Sequence, residues 1–183
     1  MYDIDMKNAH PTLLSWYSHE NGIGCEGLDP YITHRDEYIS NYMKQYDMSR
    51  YDVKTHILDI LNGREVKLDQ DCPEWYRNFY MGMRHIFRKI VEIHHDLYEL
   101  DKKFRADRDT TRNIEGTAVN YVMCGLENQA MMATFDYLIE QNIEVGSLVF
   151  DSLMIYKDNV PPTRLEEILV SLGNWIKDVM VVI

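Results

Sequence analysis

The sequence predicts an α+β fold: a small antiparallel sheet backed by helices, with a long helical insertion between its strands. Three observations predict it. The opening run MYDIDM is short and alternates polar with apolar residues, as a strand with one covered face does. GSLVFDSLMIYKD, residues 146–158, is rich in Val, Leu, Ile, Phe and Tyr and is broken at its centre by Asp151-Ser152, the pattern of a hairpin. Between these, apolar residues recur at helical spacing, most clearly at Phe79, Met83, Ile86, Ile90, Ile93 and Leu97.

The elements follow in order. The first strand runs into NAHPTLLSWYSHE, where Pro11 suits the early turn of a helix. Residues 21–34 hold Gly22, Gly24, Gly27 and Pro30 and read as a loop. A helix is expected from Arg35 to Gln45, and another from Ser49 to Leu61 that stops at Asn62-Gly63. Pro73-Glu74 opens one long helix from Trp75 to Phe104. The polar stretch RADRDTTRN breaks it, and a second long helix runs from Thr117 to Gln141. After the hairpin, Pro161-Pro162 precedes a last helix over Thr163–Met180. No internal repeat and no linker divides the chain.

Composition narrows the function. The 183 residues are 45% hydrophobic and include 13 Tyr, which excludes a disordered chain. No apolar run approaches the roughly 20 residues of a membrane span, and the N-terminus lacks a signal-peptide pattern, so a soluble intracellular protein without membrane contact is expected. Cys25, Cys72 and Cys124 are scattered and odd in number, which suggests reduced thiols and neither a disulfide framework nor a zinc site. A net charge of -11 argues against a plain nucleic-acid binder. Yet a metal-holding site must itself be acidic, and basic residues do gather between Arg77 and Arg112: Arg84, Arg88, Lys89, Lys102, Lys103, Arg105, Arg108 and Arg112.

Two aspartates stand out, because each lies in an apolar strand where a charge needs a partner or a metal. Asp5 ends the first strand and Asp151 sits at the hairpin tip. Two such carboxylates from remote parts of a chain are what a two-metal phosphoryl-transfer site uses, its ions about 3.5–4 Å apart. Asp is also common at hairpin turns, so the neighbouring residues decide.

Those neighbours match polymerase motifs in order. Asp5-Met6-Lys7-Asn8-Ala9-His10-Pro11-Thr12 resembles motif A of DNA polymerases, especially the D-x-x-S-L-Y-P-S form of family B; the family A form is D-Y-S-Q-I-E. Arg50, Lys54 and Asn62-Gly63 keep the R-x3-K-x7-Y-G spacing of family A motif B, with Asn62 in place of Tyr and Leu58 in place of the aromatic residue four after the Lys. On a helix, Arg50 and Lys54 share a face and could hold a triphosphate. Arg112-Asn113-Ile114-Glu115-Gly116-Thr117-Ala118 is similar to the N-x-P-x-Q-G-T-A-A-D segment of family A; a second register places Cys124-Gly125 there. Val149-Phe150-Asp151-Ser152-Leu153 takes the place of motif C, V-H-D-E-L, and its Ser152 is shared with single-subunit RNA polymerases of phage type.

The chain thus resembles the palm and fingers of a pol I-type (family A) DNA polymerase. The resemblance implies a palm strand, helix and loop over 1–34, helical fingers over 35–111, and palm helix, motif C hairpin and last helix over 112–183. It implies two Mg²⁺ ions, replaceable by Mn²⁺, held by Asp5, Asp151 and the Met6 carbonyl, with Asp3 a rival ligand. His10 would lie under the nucleotide sugar and exclude a 2′-hydroxyl; Arg50, Lys54, Leu58 and Asn62 would meet the dNTP. Arg112, Asn113, Glu115, Gly116 and Thr117 would meet the primer–template. Because the thumb and any exonuclease domain precede motif A in that family, a fragment or subunit is expected that needs further polymerase domains or a partner, of viral or plasmid origin among other settings. An RNA polymerase or primase-like enzyme and a non-catalytic polymerase-shaped scaffold are the alternatives.

Overall fold

The computed structural model describes residues 1–6, 8–106, 113–149 and 152–181, with the backbone alone at 149, 159 and 173–181. The fold is α+β. Among the described residues, seven α-helices accompany a three-stranded antiparallel sheet. The chain divides into two compact units: Met1–Ala9 with Cys124–Ile183, and His10–Met123.

The first unit holds the sheet, built from β1 (Tyr2–Asp5), β2 (Val145–Val149) and β3 (Ser152–Ile155) in the order β1-β3-β2. Tyr2 and Ile4 alternate with exposed Asp3 and Asp5, so period-two patterning turns one face of β1 to the core. Pairing Ile4 with Leu153 and Tyr2 with Ile155 puts four apolar side chains on that face. They pack with Met131 and Leu138 of α6 (Ile114–Glu140) and Ile168 of α7 (Pro162–Val181). Strands β2 and β3 and both backing helices occur where the sequence predicts them.

The second unit is helical: α1 (Ala9–Glu20), α2 (Leu28–Tyr46), α3 (Arg50–Leu61), α4 (Glu74–Ile93), α5 (His95–Ala106) and the first turns of α6. Helix α4 touches α2, α3 and α5. It buries Tyr76, Phe79, Met83, Ile86, Phe87 and Ile90, a stripe at the three-and-four spacing of an amphipathic helix. Ser49 caps α3, its hydroxyl accepting from the Asp52 amide at 3.1 Å. Gly63 ends α3 at φ +76°: its N–H donates to the Ile60 carbonyl and that of Arg64 to the Asp59 carbonyl, a complete Schellman motif.

Two expectations about elements are corrected. Residues 28–34 are not loop but the first turns of α2, which bends at His34 (φ -109°, ψ 21°). Pro30 lies in the first turn, where a missing N–H leaves no bond unmade, so it starts a helix as readily as it breaks one. The single helix expected over 75–104 is two, parted at His94 (φ -108°, ψ 49°), whose Nε2 lies 2.7 Å from the Tyr17 hydroxyl. The apolar spacing of Ile90, Ile93 and Leu97 runs through the break and hides it.

Candidate functional site

In the first unit, strand pairing fixes where Asp5 stands. Asp5 pairs with Ser152, the first residue of β3, and Asp3 pairs with Met154 two residues further along. Directly opposed residues share a face, so Asp5 lies with Ser152 on the face turned away from the core, at the end of the sheet where β3 begins. Met6 follows and packs its side chain against the core cluster. Asp3 shares the outer face but sits further from that end, which separates the two rivals by position. Asp151, the residue before Ser152 in sequence, lies outside the described residues, as does Arg112.

In the second unit, α3 carries the expected cationic stripe. Val53, Ile57 and Ile60 are buried, while Arg50, Lys54, Leu58 and Asn62 lie toward solvent, Leu58 being 54% exposed. Arg50 already holds an anion: its Nη2 is 2.5 Å from Asp36 Oδ1 on α2. His10 is the second residue of α1 and is half-buried.

The structure also joins two of the sequence motifs. Asn62 leaves its carbonyl unbonded at the end of α3, and Asn113 Nδ2 donates to it at 2.7 Å. Asn113 itself takes φ +55° at the start of α6. Gly63 and Gly116 make the approach possible. A Cβ on Gly63 would meet Gly116 Cα at 2.7 Å, and one on Gly116 would clash with the Asn62 carbonyl oxygen. Thr117 Oγ1 accepts from Arg105 Nη2 at 2.5 Å and donates to the Asn113 carbonyl at 3.1 Å.

This junction forms one wall of an open cavity of about 1020 Å³. Arg64, Arg84 and Arg105 line it together with Glu65 and Glu115, three guanidinium groups against two carboxylates. In a chain of net charge -11, three guanidinium groups gather here, each beside a carboxylate. Arg84 is only 18% exposed and stands 3.0 Å from Glu115. Arg105 is held by Asp101, itself 7% exposed, at 2.7 Å. Arg64 is the outlying cation, 67% exposed and paired with Asp59 at 2.8 Å. Tyr98 adds an aromatic ring.

The basic stretch in the sequence is therefore partly dispersed. Arg84 and Arg105 reach the cavity, whereas Lys89 pairs with Glu92 at 2.6 Å and Lys102 with Glu99 at 3.2 Å, both at the exposed surface. Reading the motifs alone misses Arg64, Arg84 and Tyr98. The only hint in the sequence is that Arg64 follows the Asn-Gly stop and Arg84 lies in the basic run.

No family profile and no solved structure matches the chain. An alignment 162 positions long, covering 84% of the chain, is 28% identical to "Putative helicase V13" of Sputnik virophage. That alignment covers 20% of the virophage protein, so over most of its length this chain is similar to one part of a much longer viral protein.

Proposed function

We propose that the chain is the palm and fingers of a pol I-type DNA polymerase, which transfers a nucleotidyl group from dNTP to a primer 3′-hydroxyl under template direction. The observation that carries this reading is the register of Asp5 against Ser152, which puts the first carboxylate at the start of the strand that Asp151 precedes. A carboxylate on an exposed strand end suits a hard, oxygen-seeking cation such as Mg²⁺. Two such ions bound there would supply Lewis acidity for the 3′-hydroxyl and charge neutralisation for the triphosphate. Asp5 and Asp151, with the Met6 carbonyl, hold them. Arg50 and Lys54, one helical turn apart, orient the triphosphate, and Asp36 keeps the Arg50 head in place until it binds. His10 packs beneath the sugar.

The meeting of Asn62-Gly63 with Asn113-Gly116 supports the same reading, since it brings the segment expected at the dNTP beside the one expected at the primer–template. We assign the arginine-lined cavity to the phosphate backbone of a single strand. Arg64→Ala is the clean test: the ion pair with Asp59 is exposed, so its loss costs the fold little. Affinity for a fluorescent single-stranded oligonucleotide falls, and the slope of log affinity against log salt shrinks by about 0.7, one released counterion. An unchanged slope removes Arg64 from the contact.

The catalytic reading is tested by primer extension with purified chain, Mg²⁺ or Mn²⁺ and a primed template. Weak, distributive addition of dNMP under template direction is expected of the chain alone, without processive synthesis, and His10→Gly raises rNMP incorporation relative to dNMP. No incorporation of either nucleotide with either metal rejects the enzyme. An unchanged sugar ratio rejects the gate.

The virophage relative favours a second reading, an accessory nucleic-acid-binding module within a helicase. No G-x-x-x-x-G-K-[ST] run occurs in these 183 residues, so NTP-driven translocation is not assigned to them. Oligonucleotide binding without any nucleotide addition would favour this module.

A further inference from the structure

We propose that His19, Cys25 and Asp29 form a zinc-binding site in the corner between α1 and α2. The site is independent of the polymerase reading and of its carboxylates. Its construction starts with the end of α1, where Gly22 closes a second Schellman motif, its N–H on the His19 carbonyl and that of Ile23 on the Ser18 carbonyl. The chain is thereby turned back along α1. Cys25 then accepts with its carbonyl from the Leu28 and Asp29 amides, both at 3.0 Å, as α2 begins. One imidazole, one thiol and one carboxylate face one point, each offering a donor atom within 4.8 Å of the others; His19 Nε2 and Asp29 Oδ2 are 2.9 Å apart, and Cys25 Sγ donates to the Ile23 carbonyl at 3.6 Å.

The donor set selects the ion. A thiolate with an imidazole suits a borderline-soft cation and is foreign to Mg²⁺ or Ca²⁺, which take oxygen ligands. Zinc bonds of about 2.0–2.3 Å put tetrahedral ligands about 3.3–3.8 Å apart, so closure asks for a shift of about 1 Å. The His19 and Asp29 side chains, 60% and 40% exposed, can make that shift. Two anionic ligands neutralise the ion, and the fourth position is left for water.

A second observation points the same way. Ser18 is fully buried, and its hydroxyl lies in hydrogen-bonding reach of the Cys25 thiol. A buried hydroxyl gains more from a charged acceptor than from a neutral one. Its neighbour is Cys25: burial pushes that thiol up, the Ser18 hydroxyl pulls it down, and Asp29 and Glu26 raise it further. On zinc binding, the thiol loses its proton to solvent as the sulfur–metal bond forms, and the thiolate becomes a stronger acceptor for the Ser18 hydroxyl. Ser15 Oγ already donates to Asp29 Oδ1 at 2.6 Å, the outer bond that orients a ligating carboxylate.

The experiment uses the full chain, stripped with chelator and titrated with zinc against a chromophoric competitor, then with Co²⁺ as a spectroscopic substitute. One zinc per chain is expected, and the cobalt form shows a thiolate charge-transfer band. Cys25→Ser abolishes the band, His19→Ala weakens binding while circular dichroism stays unchanged, and Ser18→Ala weakens it about 10-fold. Asp5→Asn and Cys72→Ser leave it intact. The proposal is overturned if the wild type takes up no zinc, if the band survives Cys25→Ser or follows Cys72 or Cys124, or if His19→Ala binds like wild type.

Discussion

Asp5→Asn reduces Mg²⁺-dependent primer extension about 1000-fold while leaving the fold intact. The estimate follows from two terms. Asp5 is exposed on the face of β1 opposite the core, and asparagine matches its shape, so the change in stability stays within about 0.5 kcal/mol. A metal ion contributes several kcal/mol of transition-state charge stabilisation, and each 1.36 kcal/mol is about tenfold in rate. Removing one anionic ligand loses about 4 kcal/mol of that. Asp3→Asn is the internal control. It alters the same charge on the same face, but opposite Met154 and away from the start of β3, and keeps activity within about tenfold. Rates are compared at equal circular dichroism and equal melting temperature. The metal role of Asp5 fails if Asp5→Asn keeps most of its rate, or if Asp3→Asn is the more damaging change.

The parts of the fold that were legible in the sequence are those that a repeating burial pattern writes. Alternation through Tyr2, Asp3, Ile4 and Asp5 gives β1 and also its outer face; Asp5 is exposed there, so the cost of a charge within an apolar strand, which makes it stand out in the sequence, does not arise. The α4 stripe and the apolar hairpin are equally plain. What periodicity cannot carry is a break that preserves phase, as at His94, or a proline whose meaning depends on which turn it occupies, as at Pro30. The candidate sites divide in the same way. Arg50 and Lys54 are four apart on one helix, so a shared face follows from spacing. Arg64, Arg84 and Arg105 meet only because α4, α5 and the end of α3 pack together, and no linear spacing encodes that. The His19, Cys25 and Asp29 cluster depends on the Gly22 turn, and a single cysteine without a paired partner gives no metal signal in the sequence.

Gly63→Ala destabilises the chain by an amount on the order of 2–5 kcal/mol, more than the same change at Gly22. Both glycines end helices in the left-handed region, Gly63 at φ +76° and Gly22 at φ +65°. Each substitution therefore carries the left-handed penalty of about 1–2 kcal/mol. Only Gly63 has neighbours: a Cβ there would lie 2.5 Å from Phe87 Cε2, 2.7 Å from Gly116 Cα and 2.9 Å from Asn113 Oδ1, while at Gly22 nothing lies within 4 Å. Phe87 is 1% exposed and has no room to retreat, and the Gly116 contact is backbone. Overpacking of that kind adds about 1–3 kcal/mol. The difference between the two variants in urea unfolding thus isolates the contact between the end of α3 and the start of α6. The same junction walls the arginine-lined cavity, so Gly63→Ala also weakens oligonucleotide binding under conditions where it remains folded, whereas Gly22→Ala does not. Equal losses of stability at the two positions would mean that the close approach of Gly63 to Gly116 is absent in solution, and the cavity would lose the wall on which its assignment depends.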